Sequence, residues 1–362
     1  MTILALNVGS SSLKYAVFAD EAVLLRGTLD RIGIGGVPDH GVAVDSVLDE
    51  LERRGVDRPS AVGHRLVHGG PDHAEPALVD DALLAALERV VAFAPLHLPI
   101  ELRAIATVRA RCGDLPQVAC FDTGFHRTLP EVARRFALPS ALFDAGIRRY
   151  GFHGLSYEYL AASLPPASLR RAVFAHLGNG ASMVAVRNGN SIDTTMGLTP
   201  TGGLVMGTRT GDLDPGLLLY LLDHGYDARG LARLVDHEAG LLAISGTTSD
   251  MQKLLERRAT DPRAELAIDV FCYHARKSIG ALATVVEGIE TLVFTGGIGE
   301  HAPAVRSEIC RGLGYLGIDL DGERNLAGAP VISNGSCEVR VVRTDEERMI
   351  AHHTRRVVGL IG

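Results

Sequence analysis

Two stretches half a chain apart share one pattern, and that repeat constrains the fold of these 362 residues more than any other feature. The first runs Ile3-Leu4-Ala5-Leu6, breaks at Asn7-Val8-Gly9-Ser10-Ser11-Ser12, and resumes at Leu13-Lys14-Tyr15-Ala16-Val17-Phe18. Apolar residues on either side of a small polar turn read as strand, turn, strand. The second runs Val173-Phe174-Ala175-His176-Leu177-Gly178-Asn179-Gly180-Ala181-Ser182-Met183-Val184-Ala185-Val186. Shifting the first by 169 residues sets Gly9 on Gly178, Asn7 on His176, Ala16 on Ala185 and Val17 on Val186. A repeat at about half the length predicts two similar domains facing each other across a cleft; a chance match of two short segments is the alternative.

The segments between the hairpins alternate in type. Asp81 to Val91 is Leu/Ala-rich, and Leu102 to Arg111 follows a Pro99 start signal; both predict helices. Pro165-Pro166 marks a loop. Arg263 to Val286 carries apolar residues at helical spacing and predicts a long buried helix. Thr291-Leu292-Val293-Phe294-Thr295 reads as a buried strand running into Gly296-Gly297-Ile298-Gly299, and Glu338 to Arg343 as another strand. Thr344-Asp345-Glu346-Glu347 fits a capping box, with a helix continuing to about Val358. The class is therefore α/β.

Composition removes several functions. The formal charge of −7 predicts no nucleic-acid partner, which would need a basic face. No apolar run reaches the ~18 residues that span a bilayer, and the start lacks a basic leader, so no membrane association is expected. Five scattered cysteines (Cys112, Cys120, Cys272, Cys310, Cys337) without a Cys-x-x-Cys read as reduced thiols of a cytoplasmic protein. There is no P-loop, no Gly-x-Ser-x-Gly elbow, and His237-Glu238 lacks the second histidine of a zinc-protease helix.

What remains is glycine-rich. Small residues and backbone N–H groups make both hairpin turns candidate anion cradles, Asn7 to Lys14 on one and His176 to Ser182 on the other, with ordinary hairpins as the plain alternative. Gly297-Ile298-Gly299-Glu300-His301-Ala302 matches a dinucleotide fingerprint, but only about sixty residues follow it, too few for the usual strand-helix-strand unit. It is either a phosphate or adenosine contact or a tight turn. Single ionisable residues held among glycines recur at Arg65, Asp122, His153 and Arg209. Each alone is more often structural; their shared setting points to an active site.

Together these segments resemble the acetokinase family, within the actin-like, sugar-kinase and heat-shock ATPase superfamily. The matching blocks, in family order, are Leu6 to Lys14, Gly63-His64-Arg65-Leu66-Val67-His68-Gly69-Gly70, Ala94-Pro95-Leu96-His97, Phe121 to His126, Tyr150-Gly151-Phe152-His153-Gly154, His176 to Gly180, Met206 to Asp212, Gly296 to Glu300 and Thr344 to Glu347. The resemblance implies a duplicated actin-like (ribonuclease H-like) fold, two domains around a nucleotide cleft. The expected boundaries are 1–148 plus 344–362 for the first domain and 149–343 for the nucleotide-binding second. It also implies reversible in-line phosphoryl transfer from ATP to acetate, giving ADP and acetyl phosphate, with Mg²⁺ (or Mn²⁺), in a homodimer.

The resemblance also assigns residues. Asn7 and Glu346 would hold the metal, with Glu347 left to the capping box. Lys14, His176, Leu177, Gly178, Asn179 and Gly180 would meet the nucleotide phosphates. Asp250, Met251, Gln252, Gly297, Ile298, Gly299, Glu300 and His301 would border the adenosine. Arg65, Asp122, His153 and Arg209 would be catalytic, Arg65 also binding substrate. Val67, Leu96, Phe152 and Pro200 would line the pocket for the acyl methyl group. The chemistry fits: two anions must be brought together, and guanidinium groups bind carboxylate and phosphate oxygens in pairs. Acetate is already ionised at neutral pH, so Asp122 is better suited to orienting an arginine or a metal-bound water than to moving a proton. Replacing Arg65 or Arg209 is expected to cut turnover with little loss of stability.

The chain departs from the family at Leu98, Leu155, Tyr157, Thr201-Gly202, Gln252 and His301. These bear on pocket size and nucleotide preference. Rival readings are a propionate or butyrate kinase, a chaperone-like conformational ATPase, and a dehydrogenase resting only on the Gly297 motif.

Overall fold

Apolar residues at successive positions make Thr2–Val8 a strand covered on both faces. Leu4, Leu6 and Val8 join Ala43, Val44 and Val47 of the His40–Arg53 helix, and Ala104 and Val108 of the Leu98–Cys112 helix, in one core. Ile3 and Ala5 face the other way, against Ile350 and Ala351 of the Glu346–Val357 helix. Full burial of each Leu, Val or Ile side chain here stabilises the fold by roughly 1.5–3 kcal/mol. The computed structural model describes residues 2–33 and 36–359; Met1 and 360–362, the extremes of the predicted first domain, lie outside them.

The chain divides into two units. The first is Met1–Arg127, His153–Tyr159 and Asp345–Gly362; the second is Thr128–Phe152 and Leu160–Thr344. The boundary expected at 148 thus falls earlier. Thr128 Oγ1 donates to the Ser191 carbonyl at 2.8 Å, and Arg149 Nη1 to those of Thr194 (2.9 Å) and Met196 (3.1 Å), which ties 128–149 to the second unit. Leu155 returns to the first unit, in the cluster with Ile350.

Within the first unit, β1 (Thr2–Val8), β2 (Ser12–Ala19), β3 (Ala22–Asp30), β4 (Ala61–Leu66), β5 (Ala77–Leu78) and β6 (Gln117–Phe121) form a sheet in the order β3-β2-β1-β4-β6-β5. In the second unit, β7 (Arg171–Leu177), β8 (Ala181–Arg187), β9 (Asn190–Thr194), β10 (Thr291–Thr295) and β11 (Glu338–Val341) run β11-β10-β7-β8-β9. In each, an antiparallel three-strand meander continues through its first strand into parallel neighbours. Reading β7 to β11 onto β1, β2, β3, β4 and β6 gives one order, with edge strand β5 the addition. The repeat predicted from the hairpins is therefore a repeat of the whole sheet.

Its register needs one correction. Val8 pairs with Leu13 across the first turn, and Leu177 with Ala181 across the second, so the second turn is one residue shorter. Beyond the turn the correspondence becomes Ala16 with Val184 and Val17 with Ala185, not with Ala185 and Val186. The register irregularities between Val17 and Phe18 and between Ala185 and Val186 then coincide.

Most predicted elements are present within a few residues. The long helix is Pro262–Val285, capped by Asp261, which accepts from the N–H groups of Arg263 and Ala264. The helix after Pro99 begins at Leu98 and ends at Cys112, and Asp81–Arg89 is capped by Asp80. The expected capping box is absent. Asp345, not Thr344, caps Glu346–Val357 and accepts from Arg348 N–H at 3.1 Å. The Thr344 N–H goes to Glu300 Oε1 at 3.4 Å, and its hydroxyl has no partner. A carboxylate one residue later takes the cap, which frees Glu347 for another contact.

Candidate active site

The first unit gathers ionisable side chains at the C-terminal ends of β1, β4 and β6. Arg65, on β4, donates from Nε (3.0 Å) and Nη2 (2.5 Å) to Asp122 Oδ2, and from Nη1 to the Val8 carbonyl (3.1 Å). Asp122 follows β6 and is 1% exposed, with Oδ1 unpartnered. Burial pushes its carboxyl up, against the pull of the Arg65 charge and a backbone N–H from His153. Arg65 is held firmly charged by Asp122 and Glu346 despite its burial. One oxygen of Asp122 thus accepts from both Nε and Nη2 of Arg65.

His153 is tied to the same residue through its neighbour: the next N–H, Gly154, donates to the Asp122 carbonyl at 2.8 Å. His153 has φ +60°, an uncommon conformation for a residue with a Cβ, costing about 1–3 kcal/mol. Gly154 is required there, since a Cβ would lie 2.2 Å from the Asp122 oxygen.

Asn7 closes the β1 end. Its Nδ2 donates to Glu346 Oε2 and to Glu347 Oε1, both at 2.9 Å. Lys14 stands opposite Asn7 in the β1–β2 register, exposed, and its charge opposes the rise in the Glu347 pKa caused by burial and by Glu346. Glu347 therefore belongs beside Asn7, where the capping-box reading had not put it. Two adjacent carboxylates beside the Asn7 amide form a hard oxygen donor pair, which suits a divalent cation such as Mg²⁺. Val67 is buried at the end of this block and Leu96 is half-buried.

The second unit builds a cavity of about 550 Å³. Gly178 and Asn179 of the β7–β8 turn line it, with Asp250, Met251, Gln252, Gly297, Ile298 and His301. Ser249, Leu255 and Ala302 complete it and were not anticipated; Ser249 and Ala302 adjoin anticipated residues, whereas Leu255 follows only once 251–257 is a helix. Asp250 caps that helix, accepting from Gln252 N–H at 2.9 Å. His176, Leu177, Gly180, Gly299 and Glu300 are not in the lining. Glu300 instead turns back on its own loop, its Oε1 accepting from Gly296 N–H at 3.0 Å. Gly296 has φ +77°, and a Cβ there would meet the Leu177 oxygen at 2.8 Å. Buried Arg306 holds the loop from behind, donating to the carbonyls of Gly299 (2.8 Å) and Glu300 (2.9 Å).

Arg209 lies on a loop tied to the β7–β8 turn, because Gly207 N–H donates to the Asn179 carbonyl at 2.9 Å. Its Nη1 reaches the Pro200 carbonyl at 3.2 Å. Phe152 is buried and Pro200 half-buried in this unit.

Comparison with known proteins settles the family. The acetokinase family model matches residues 33–352. The chain belongs to the acetokinase family. It is 43% identical to the acetate kinase of Nitrobacter hamburgensis, over 98% of this chain and 95% of that protein. It is 44% identical to that of an Arthrobacter species, over 99% of both. Among solved structures, the acetate kinase of Porphyromonas gingivalis matches at 35% identity and TM-score 0.88, covering 99% of both chains. A propionate kinase from Francisella tularensis matches at 34% and 0.93, over 98% of this chain and 99% of that one. With these likenesses, the repeated sheet of the acetokinase chain is the duplicated actin-like fold.

Proposed function

We infer that the chain is an acetate kinase, transferring a phosphoryl group reversibly between ATP and acetate. Besides family membership, one observation carries the reading: Arg65 is a half-buried, permanently charged guanidinium, held by Asp122, with the Glu346 and Glu347 carboxylates beside Asn7 on the same unit. Such a group suits a carboxylate acceptor. A conformational ATPase has no use for it.

Each residue then has a task. Arg65 binds the acid, and Arg209 neutralises charge that spreads over the moving phosphoryl group. Asp122 keeps Arg65 and the His153 backbone in place, so that the histidine ring can donate to the same group. Acetate attacks as the anion, and no proton is moved. Val67 and Leu96 are the first unit's candidates for contact with the acyl methyl group, and Phe152 and Pro200 the second's. The second-unit cavity takes the nucleotide, with Lys14 and His176 near phosphate. Asn7, Glu346 and Glu347 would hold Mg²⁺, which supplies charge neutralisation on the phosphate oxygens.

A homodimer is also proposed. The Pro215–Asp223 helix buries none of its residues and presents Leu217, Leu219, Tyr220 and Leu222 to solvent, an apolar face suited to a second copy. A cytoplasmic setting is supported by five free cysteines, four of them buried, and among the described residues no helix is long and apolar enough to cross a membrane.

The likeness to a propionate kinase favours one second reading, a longer-acid kinase on this scaffold. Trapping the acyl phosphate with hydroxylamine, using ATP, Mg²⁺ and acetate, propionate or butyrate, separates the two. Acetate is expected first, propionate behind it by a factor within the ~10–200-fold worth of one methylene, and butyrate far behind. Val67→Ala should move the ratio toward propionate. Butyrate equal to acetate would overturn the reading.

A further inference from the structure

Glu101 is buried behind the proposed acid-binding residues, and no proposed step uses it. It lies in the first turn of the Leu98–Cys112 helix and is 1% exposed. Its Oε2 accepts from Val67 N–H at 3.0 Å, and its Oε1 has no hydrogen-bond partner. The charged groups that act on it are Arg65 from β4 and Asp122 from the end of β6. We propose that Glu101 is a positioning residue for the acid substrate: through Val67 it holds the strand end that carries Arg65, and its charge state sets how much of that guanidinium's charge is left for an incoming carboxylate. The proposal rests on the reading of Arg65 and Val67 as substrate contacts.

Burial decides the charge state near neutrality. It pushes the Glu101 carboxyl up to about 8, against the Arg65 charge and the Val67 N–H. At pH 7 the group is mostly protonated. The proton then sits on Oε1, because Oε2 is taken as an acceptor. Arg65 has Asp122 as its bonded carboxylate, so that pair is neutral, and the guanidinium N–H groups not turned to Asp122 remain for an anion. Above about pH 8 a second buried carboxylate appears beside the same guanidinium. It competes for that charge and repels the substrate, which should weaken carboxylate binding by roughly ten-fold or more.

The test is the KM for acetate between about pH 6.5 and about pH 9.5, with the KM for ATP measured alongside. In the wild type, the acetate KM should rise roughly ten-fold through a midpoint near 8, while the ATP KM does not follow it. Glu101→Gln keeps an acceptor for Val67 but cannot titrate, so the alkaline rise should vanish. Glu101→Leu also loses the acceptor, and its acetate KM should be raised at every pH. A flat wild-type profile overturns the proposal without any variant, as does a rise in Glu101→Gln equal to that of the wild type. Val67→Ala is run beside these. If it shifts the propionate-to-acetate ratio while the Glu101 results fail, the Glu101 proposal alone falls. If it shifts nothing, the pocket reading beneath the proposal falls.

Discussion

The two units have the same sheet topology but differently furnished strand ends. In the first, the ends of β1, β4 and β6 carry buried charge: Arg65 on Asp122, Asn7 between Glu346 and Glu347. In the second, the matching strand ends carry little charge and much space. The β7–β8 turn and the Gly296 loop line a cavity of about 550 Å³ together with side chains such as Met251, Leu255 and Ile298. One topology thus serves two ends. Side chains that position charge are buried and bonded, whereas a surface that admits a large ligand is open and lined mostly by uncharged residues.

The sharpest test of that contrast is Arg65→Ala beside Arg209→Ala. Both should lower kcat/KM by roughly 10²–10³ or more, as loss of one charge-stabilising donor does. Their stabilities should part. Removing Arg65 strands Asp122 as a buried, unpaired acid and should cost about 3–5 kcal/mol by chemical denaturation. The structure thus revises the expectation of little stability loss for this arginine. Arg209, half-buried and bonded to a carbonyl, should cost far less. Equal stability losses would break the comparison.

Glu346→Gln and Glu347→Gln come next. If both carboxylates serve the metal, each should raise the Mg²⁺ concentration for half-maximal rate about 10–100-fold. An effect confined to Glu346 would return Glu347 to a structural role beside Asn7.

In the second unit, Gly297→Ala and Gly296→Ala separate ligand approach from folding. A Cβ on Gly297 meets nothing within 4 Å, so stability should hold while the KM for ATP rises several-fold, measured by coupled assay. Gly296 sits at φ +77° against the Leu177 oxygen, and its substitution should lower the thermal midpoint.

The last test concerns Glu101. Its native pKa lies near 8, far above the ordinary 4.5, so between these values the folded state keeps a proton that the unfolded state has lost. Stability therefore falls as pH rises through that window. The thermal midpoint of Glu101→Gln relative to wild type should climb from about pH 5 to about pH 8, by differential scanning calorimetry. A constant difference would mean that Glu101 ionises normally in the fold.

Local order was legible in the residues themselves. Short apolar runs marked β1, β2, β7 and β8, small polar residues marked both turns, and Pro99 marked the start of a helix, because each signal lies within a few residues of its effect. Arg65, Asp122 and His153 could be picked out because each is a lone ionisable group among small neighbours. What the sequence by itself determined is therefore the α/β class, the repeat and the candidate residues that the proposed chemistry draws on. Tertiary structure decided their partners. Asn7 meets Glu346 and Glu347 across more than 330 residues, and Glu101 reaches Val67 across 34. Nothing near Glu101 in the chain marks it as buried, since burial is a property of what packs over a residue. The cap that moved to Asp345 and the turn one residue short follow the same reason: each was settled by competition among hydrogen bonds that only the folded chain brings within reach.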